Sequence, residues 1–475
     1  MSELTFFWHD YETFGRVPRR DRPAQFAGVR TDAELQEIDD PVCWYCRPAP
    51  DYLPDPESVL LTGITPQRAL AEGLPEQEFA ARIEAQLARE GTVGVGYNSI
   101  RFDDEVTRHL LWRNLYDPYA REWANGCGRW DLLDVVRLTW ALRPEGFVWP
   151  DGDDGRPSFR LERLAAANGV AQGTAHEALA DVRATLALAR QLKLRQPRLW
   201  EFASKLRRKE AVRAEIGEGR PFVHLSGRYP LERGCLAIVW PLAPHPINKN
   251  ELIVWDLAHD PAELETLDAD AARTRLYTRS DELRDGQTRL PIKTIHVNKS
   301  PIVISNLKVL GDAPARFGID VAAALRHAER ARRLPPRDAV WAALFARPAT
   351  GAAVDVDEDL YGGFVGNDDR RQLERLRALA PEALAGKRPG FADARLDELL
   401  FRYRARNFAH TLDADEQGRW DALRAQRLHH GAGGGLTLAA FFERIDELAE
   451  SADDREQDLL EALYDYGQAI APEAP

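Results

Sequence analysis

Hydrophobic periodicity changes twice along this 475-residue chain, and those two changes limit what it can fold into more than any other feature. Up to about residue 195, short β-type runs (LTFFWHD, PVCWYCRP, TVGVGYN) alternate with longer helical ones (EFAARIEAQLARE, EVTRHLLWRNL, WDLLDVVRLTWAL, ALADVRATLALARQL). Alternation of that kind predicts an α/β domain. From 221 to 305 the apolar runs FVHLSGRYPL, CLAIVWPLA, ELIVWDL, RLPIKTIHVN and SPIVISN are punctuated by Gly, Pro and Asn, which predicts a small β domain. Beyond about 310 the pattern is helical, and the loop GAAVDVDEDLYGG at 351–363 marks a boundary. The expected domains are therefore 1–195, 196–348 and 349–475, with GAGGG at 431–435 read as a turn between helices. Length agrees, since single hydrophobic cores stop growing near ~250 residues.

Several classes are excluded early. No apolar run approaches the ~20 residues needed to cross a bilayer, and MSELTFFWHD lacks the basic segment and long apolar core of a secretion signal. The expectation is a soluble, cytoplasmic protein without membrane association. Four cysteines, Cys43, Cys46, Cys127 and Cys235, are too few for a disulfide framework in so long a chain. The C-W-Y-C pair has no second pair to complete a zinc site, and its surroundings alternate like a strand. A formal charge of −13 argues against indiscriminate coating of nucleic acid, although it leaves room for a local basic groove. Much of the excess falls at 446–475, where ten acids accompany a single Arg455 on an amphipathic pattern, as on a solvated helix face.

Three short acidic motifs carry chemistry. In FFWHDYETFG a strand ends on Asp10 and Glu12, which project from the same face roughly 7 Å apart because strand side chains alternate. Two carboxylates so placed repel unless a cation lies between them, and Mg²⁺ prefers such oxygen ligands while keeping waters and room for a phosphate. In GYNSIRFDDEVTRHLLWRNL, Asp103 and Asp104 open a helix, where acids are in any case favoured by the helix dipole. In GTAHEALADVRATLALARQL, Thr174 and Glu177 have capping-box spacing, with His176 in or just before the first turn and Asp181 five residues on.

D-x-E, N-x₃-F-D and H-x₄-D, in that order within an α/β domain, resemble the DEDDh branch of the 3′→5′ exonucleases, whose fold is similar to ribonuclease H. The resemblance implies that Asp10, Glu12, Asp103 and Asp181 hold two Mg²⁺ ions, for which Mn²⁺ substitutes, and that His176 is the general base. Two ions ~4 Å apart neutralise a phosphodiester and stabilise both the attacking and the leaving oxygen. An imidazole with an unperturbed pKa of ~6.5 suits proton uptake from water.

The likeness extends over nearly the whole chain. FFWHDYETFG, RPAQFAGVRTD, LLTGITPQ, YNSIRFDDEVTRH, RWDLLDVVRLTWALRPEG, PSFRLERLAAANG, RQPRL and LLFRYRARNF resemble the bacterial exonuclease I family. That family's layout implies a ribonuclease H-like exonuclease domain, an SH3-like β domain and a C-terminal helical domain around a C-shaped groove, and release of 5′-mononucleotides from single-stranded DNA. The region through ERGCLAIVWPLAPHPINKNEL, and 310–400 more so, follows the family pattern loosely. By the same resemblance the strand is met by Glu12, Arg160, Arg108, Trp123 and Arg137 in the nuclease domain, with Arg160 on the terminal phosphate. Lys209, Asn250, Tyr277, Lys293, Asn298, Tyr361 and Phe364 are expected to meet it elsewhere. Cations for phosphates and rings for bases are what sequence-independent binding of a single strand requires. Arg143 in ALRPEG is matched to a site for the terminal carboxylate of single-strand DNA-binding protein's acidic tail, and a groove within one chain suits a monomer. Two other readings stay open from the motifs alone: a relative acting on RNA or in proofreading, and a non-catalytic DNA-end-binding protein.

Overall fold

β1 (Thr5–Thr13) is buried along nearly its whole length because it is paired on both edges and covered on both faces. It runs antiparallel to β2 (Pro23–Thr31) and parallel to β4 (Thr92–Gly96), and β3 (Val42–Tyr45) pairs with the far edge of β2, giving the order β3-β2-β1-β4. In this computed structural model the described residues are 4–170, 177–279, 281–284, 286–346 and 354–472. They form two compact units, one made of Met1–Gly128, Gln172–Leu186 and Ala352–Pro475, the other of Arg129–Ala171 and Ala187–Gly351.

In the first unit the two-residue period of β1 sorts its side chains. Phe7 and Tyr11 join Phe26, Phe79, Ile83, Leu87, Val106 and Leu110 in a core supplied by the helices Glu76–Leu87 and Asp103–Arg113. Trp8, Asp10 and Glu12 point the other way. Gly28, opposite His9, is required by packing: a Cβ there would lie 2.3 Å from the Phe7 ring. The C-W-Y-C stretch belongs to the sheet region as expected, with Cys43 exposed, Cys46 in the same core and both thiols free.

The C-terminal helices complete this unit by sharing cores with the sheet's surroundings. Phe441 and Ile445 of helix Leu438–Ala449 and Leu460 and Leu463 of helix Asp454–Ile470 pack with Phe14, Tyr52, Val59 and Ile64. Trp112 and Leu115 pack with Leu373, Leu376, Leu396 and Leu400. A buried ionic network adds to the seam: Arg406 and Arg427 both pair with Asp51 and Asp357, and Arg402 reaches Asp355 and Asp357. Gly431 (φ 67°) caps helix Ala414–His430, so GAGGG does join two helices. Helix Asp454–Ile470 buries Leu460, Leu463 and Tyr466 and turns most of its acids to water.

β5 (Gly128–Asp131) leads the chain into the second unit. There β6 (Phe222–Leu225), β7 (Leu236–Pro244), β8 (Glu251–Asp256), β9 (Ile292–His296) and β10 (Ile302–Ile304) form an antiparallel sheet in the order β10-β6-β7-β8-β9. A bulge between Pro241 and Ala243 accommodates the proline, which cannot donate to the ladder. Helix Leu132–Leu142 contacts β6, β10 and helix Pro197–Lys205, and the helices Val321–Arg333 and Asp338–Leu344 belong here too.

Candidate metal centre and nucleic-acid interface

Three segments meet on one side of β1. Glu12 is paired in register with Gln25 of β2, and the Gln25 side-chain oxygen accepts the backbone N–H of Ala178 at 3.3 Å. That bond anchors the start of helix Ala178–Arg195, and one turn later Asp181 faces the strand. Carboxylate oxygens of Asp10, Glu12 and Asp181 lie within 4.8 Å of one another. Asp103, at the first turn of its helix, is 3% exposed and accepts the backbone N–H of Tyr11 at 3.1 Å. Thr107 ties the same helix to the strand by donating to the Tyr11 hydroxyl at 3.0 Å.

The electrostatics of this group are unfavourable to a bare cluster of anions. Burial, then the charges of Asp103, Glu12 and Asp181, hold Asp10 well above the usual carboxylate range. Burial together with Asp181 and Asp103 pushes Glu12 up to about 8. Such groups titrate as a set, and a cation would relieve the repulsion that raises them. The donor set consists of carboxylate oxygens, and no thiol or imidazole among the described residues joins it. That is the chemistry of a hard divalent cation such as Mg²⁺, so the residues present fit the ion.

The D-D pair at 103–104 divides its labour. Asp104 is buried against Arg121 at 2.6 Å, which makes it an internal ion pair, whereas Asp103 is turned to the strand end. His9, next to Asp10, projects to the opposite face, and burial holds its imidazole at about 4 and therefore neutral near pH 7. His176 and Thr174 lie outside the described residues; Glu177 is exposed just ahead of the helix.

The remaining sequence-derived candidates fall into different settings. Trp123 (68% exposed), Phe364 (86%) and Tyr277 (60%) offer rings to solvent, and Arg160 and Asn298 are exposed as well. The Lys209 ammonium donates to the Asn250 side chain. Lys293 lies 3.1 Å from His224 Nε2 and 4.4 Å over the Tyr229 ring. Because His224 Nδ1 sits 2.9 Å from the Ile302 carbonyl, Nδ1 carries the proton and Nε2 accepts from Lys293. Arg137 pairs with Asp134 at 2.9 Å and stands against Gly227, where a Cβ would meet its guanidinium at 2.7 Å. Arg143 donates to the carbonyls of Leu142 and Val309. Arg108 is 5% exposed and turned onto Glu122, Glu105 and Tyr361. Sequence reasoning missed Glu105, Glu122 and His224. Glu105 at least follows directly on Asp103 and Asp104; Glu122 and His224 carry no local signal, because their partners are 14 or more residues away.

An α/β sheet with these carboxylates at the end of its central strand is the framework of an exonuclease, and known families match accordingly. The Exonuclease family matches residues 7–189, the Exonuclease I SH3-like domain 207–347 and the Exonuclease I C-terminal domain 354–470. Exodeoxyribonuclease I of Escherichia coli K12 is 44% identical over 474 residues, covering 99% of this chain and 98% of that one. Exonuclease I from Methylocaldum szegediense superposes with a TM-score of 0.93 at 47% identity, covering 98% and 99% of the two chains. The E. coli enzyme in complex with a dA16 oligonucleotide gives 0.94 at 43% identity, covering 99% and 100%. A zinc-bound form of the E. coli complex with single-stranded DNA and a complex of exonuclease I with SSB-Ct, both with TM-scores of 0.91 at 43% identity over 99% of this chain and 100% of the other, are also similar to it. The chain belongs to the exonuclease I family.

Proposed function

We propose that this chain is a metal-dependent exodeoxyribonuclease that degrades single-stranded DNA in the 3′→5′ direction and releases 5′-mononucleotides by hydrolysis. The observation that carries the site assignment is the convergence of Asp10, Glu12 and Asp181, distant in sequence, to within 4.8 Å. Full-length similarity to exodeoxyribonuclease I and the relatives' complexes with oligonucleotides support the substrate.

Asp10, Glu12, Asp103 and Asp181 would hold the Mg²⁺ ions. Bound there, divalent cations supply charge neutralisation for the phosphodiester and a nucleophilic water near neutral pH. The protein's own part begins with burial, which strengthens every charge interaction at the strand end. Tyr11 N–H and Thr107 hold the Asp103 helix against β1, and Gln25 holds the Asp181 helix, so the four acids keep their spacing. His176, by its H-x₄-D spacing to Asp181, takes the proton of the attacking water. Arg160 grips the terminal phosphate, and Arg108, Trp123, Arg137, Lys209, Asn250, Tyr277, Lys293, Asn298, Tyr361 and Phe364 follow the strand.

The domain limits of the sequence reading, 1–195, 196–348 and 349–475, stand as our division of these roles. The acidic tail of single-strand DNA-binding protein is the proposed partner, with Arg143 meeting its terminal carboxylate. A relative's complex with SSB-Ct supports that assignment. No described helix is long and apolar enough to cross a membrane, and we assign the enzyme to the cytoplasm as a monomer.

The test uses matched DNA and RNA oligonucleotides labelled at the 5′ end, with Mg²⁺ or with chelator. Stepwise shortening of single-stranded DNA from its 3′ end, only with the metal, is expected. Preferential digestion of RNA would overturn the substrate. Asp10→Ala is expected to retain DNA binding while losing nucleotide release; undiminished release would overturn the metal assignment.

A further inference from the structure

The segment that links β4 to the helix Asp103–Arg113 crosses the end of the sheet where Asp10 and Glu12 lie. β4 runs parallel to β1 with Val95 opposite Trp8, so the chain leaves the sheet beside His9 and Asp10. It stays close to the strand: a Cβ at Gly96 would lie 3.0 Å from the His9 carbonyl oxygen and 2.7 Å from the Ser99 Cβ. Asn98 adopts φ 62°, and the Ser99 carbonyl accepts the N–H groups of Phe102 and Asp104 at 3.2 and 2.8 Å. Ile100 is buried, and Phe102 packs against the core of Phe7 and Phe26. Arg101, between two inward-facing residues, is therefore turned outward and is exposed.

The other arginines between 101 and 122 all face carboxylates: Arg108 pairs with Glu122 at 2.7 Å, Arg113 with Glu76 at 3.2 Å and Arg121 with Asp104 at 2.6 Å. Arg101 pairs with no acid among the described residues. Asp103, two residues on, accepts the Tyr11 N–H at 3.1 Å, so Arg101 stands at the rim of the carboxylate cluster, its Cα within ~7 Å of that of Asp103. The charges at the cluster give this cation a use. Four carboxylates match two divalent ions, and each phosphodiester brings a further negative charge. A guanidinium offers a planar fork suited to phosphate oxygens. The scissile phosphate lies with the acids; because it is the last linkage of the strand, every other phosphate lies on its 5′ side, and the first of these falls at the rim.

We propose that Arg101 binds the phosphate immediately 5′ to the scissile one and so holds the last linkage of the strand at the carboxylate cluster. The proposal rests on the single-stranded DNA reading above. It predicts that charge at position 101 and charge at that one linkage depend on each other.

The experiment compares the wild type, R101Q and R101K on a 5′-labelled oligothymidylate and on the same strand carrying one neutral methylphosphonate at the linkage next to the scissile one. Affinity in chelator, kcat and KM with Mg²⁺, and thermal melting are measured. R101Q should melt with the wild type and lose about tenfold in kcat/KM, the size of one charge-assisted contact. Its plot of log affinity against log salt should be shallower by about 0.7, and R101K should recover that slope but only part of the kcat/KM. The methylphosphonate should slow the wild type about tenfold and R101Q hardly further, because both changes remove the same contact. R101Q indistinguishable from the wild type, or a methylphosphonate effect equal in the two proteins, would overturn the proposal. If R101Q melts well below the wild type, the wild type alone decides: release from the methylphosphonate strand at the ordinary rate overturns the proposal. A wild-type protein indifferent to single strands would remove the function reading itself, an outcome distinct from either.

Discussion

Glu12→Gln should stabilise the metal-free protein, and only above a definite pH. In the unfolded chain a glutamate ionises near ~4.3, whereas in the folded protein burial with Asp181 and Asp103 alongside pushes Glu12 up to about 8. Between those values the folded state keeps a proton that the unfolded chain has released. Stability therefore falls as pH rises through that window, the opposite of the usual paired carboxylate. At ~1.36 kcal/mol per pH unit the interval amounts to roughly 5 kcal/mol. This is an upper bound, because neighbouring carboxylates do not titrate independently and water relaxes around a partly open site. Glutamine has the same shape and no charge, so it escapes the loss. Urea unfolding of both proteins in chelator should give similar stabilities near pH ~5 and a variant more stable by about 2–5 kcal/mol near pH ~9. Excess Mg²⁺ should reverse the order, since ligand binding to the native state stabilises the wild type and the variant has lost a charged ligand. A difference between the two proteins that stays flat with pH would refute the claim that these acids are forced together.

Other outcomes follow from the same structure. Chelation should stop nucleotide release and Mg²⁺ should restore it, read by shortening of a 5′-labelled strand; activity surviving chelation would contradict the carboxylate chemistry. Asp357→Asn should cost about 3–5 kcal/mol in urea unfolding, because Arg402, Arg406 and Arg427 lose a buried counter-charge. Burial opposes the charge on Asp51 and Asp357, but Arg406 and Arg427 outweigh it and hold both below the ordinary range. The stability they contribute is complete above ~3.9 and is lost as pH falls through their folded-state values, so this variant should be less acid-sensitive than the wild type in a pH-jump melt. Arg143→Ala should weaken binding of an acidic peptide ending in a free hydrophobic residue about tenfold or more by fluorescence anisotropy, and a peptide amidated at that end should bind the two proteins alike.

Hydrophobic period was enough to announce the α/β, β and helical stretches, because alternation at two residues and repetition near ~3.6 are properties of the local chain. Asp10 and Glu12 were legible for the same reason: strand alternation alone puts them on one face. The capping boxes Asp413/Glu416 and Asp453/Glu456 are local too, closing over four residues.

Spacing along the chain could not say which of Asp103 and Asp104 turns to the strand end, since both suit a helix N-terminus; Arg121, 17 residues on, claims Asp104. Nor could it show that Arg108 faces inward, because beyond Glu105 its partners are Glu122, 14 residues on, and the Tyr361 hydroxyl, 253 residues away. The sharing of cores between the C-terminal helices and the N-terminal sheet is equally invisible in any one segment, each of which reads as an ordinary amphipathic face. Sequence alone thus determined the local geometry and the candidate chemistry, which depend on neighbours a few residues apart. Tertiary structure decided which charges are neutralised, which are forced together and which rings remain exposed, because burial and Coulomb energy depend on distance in space.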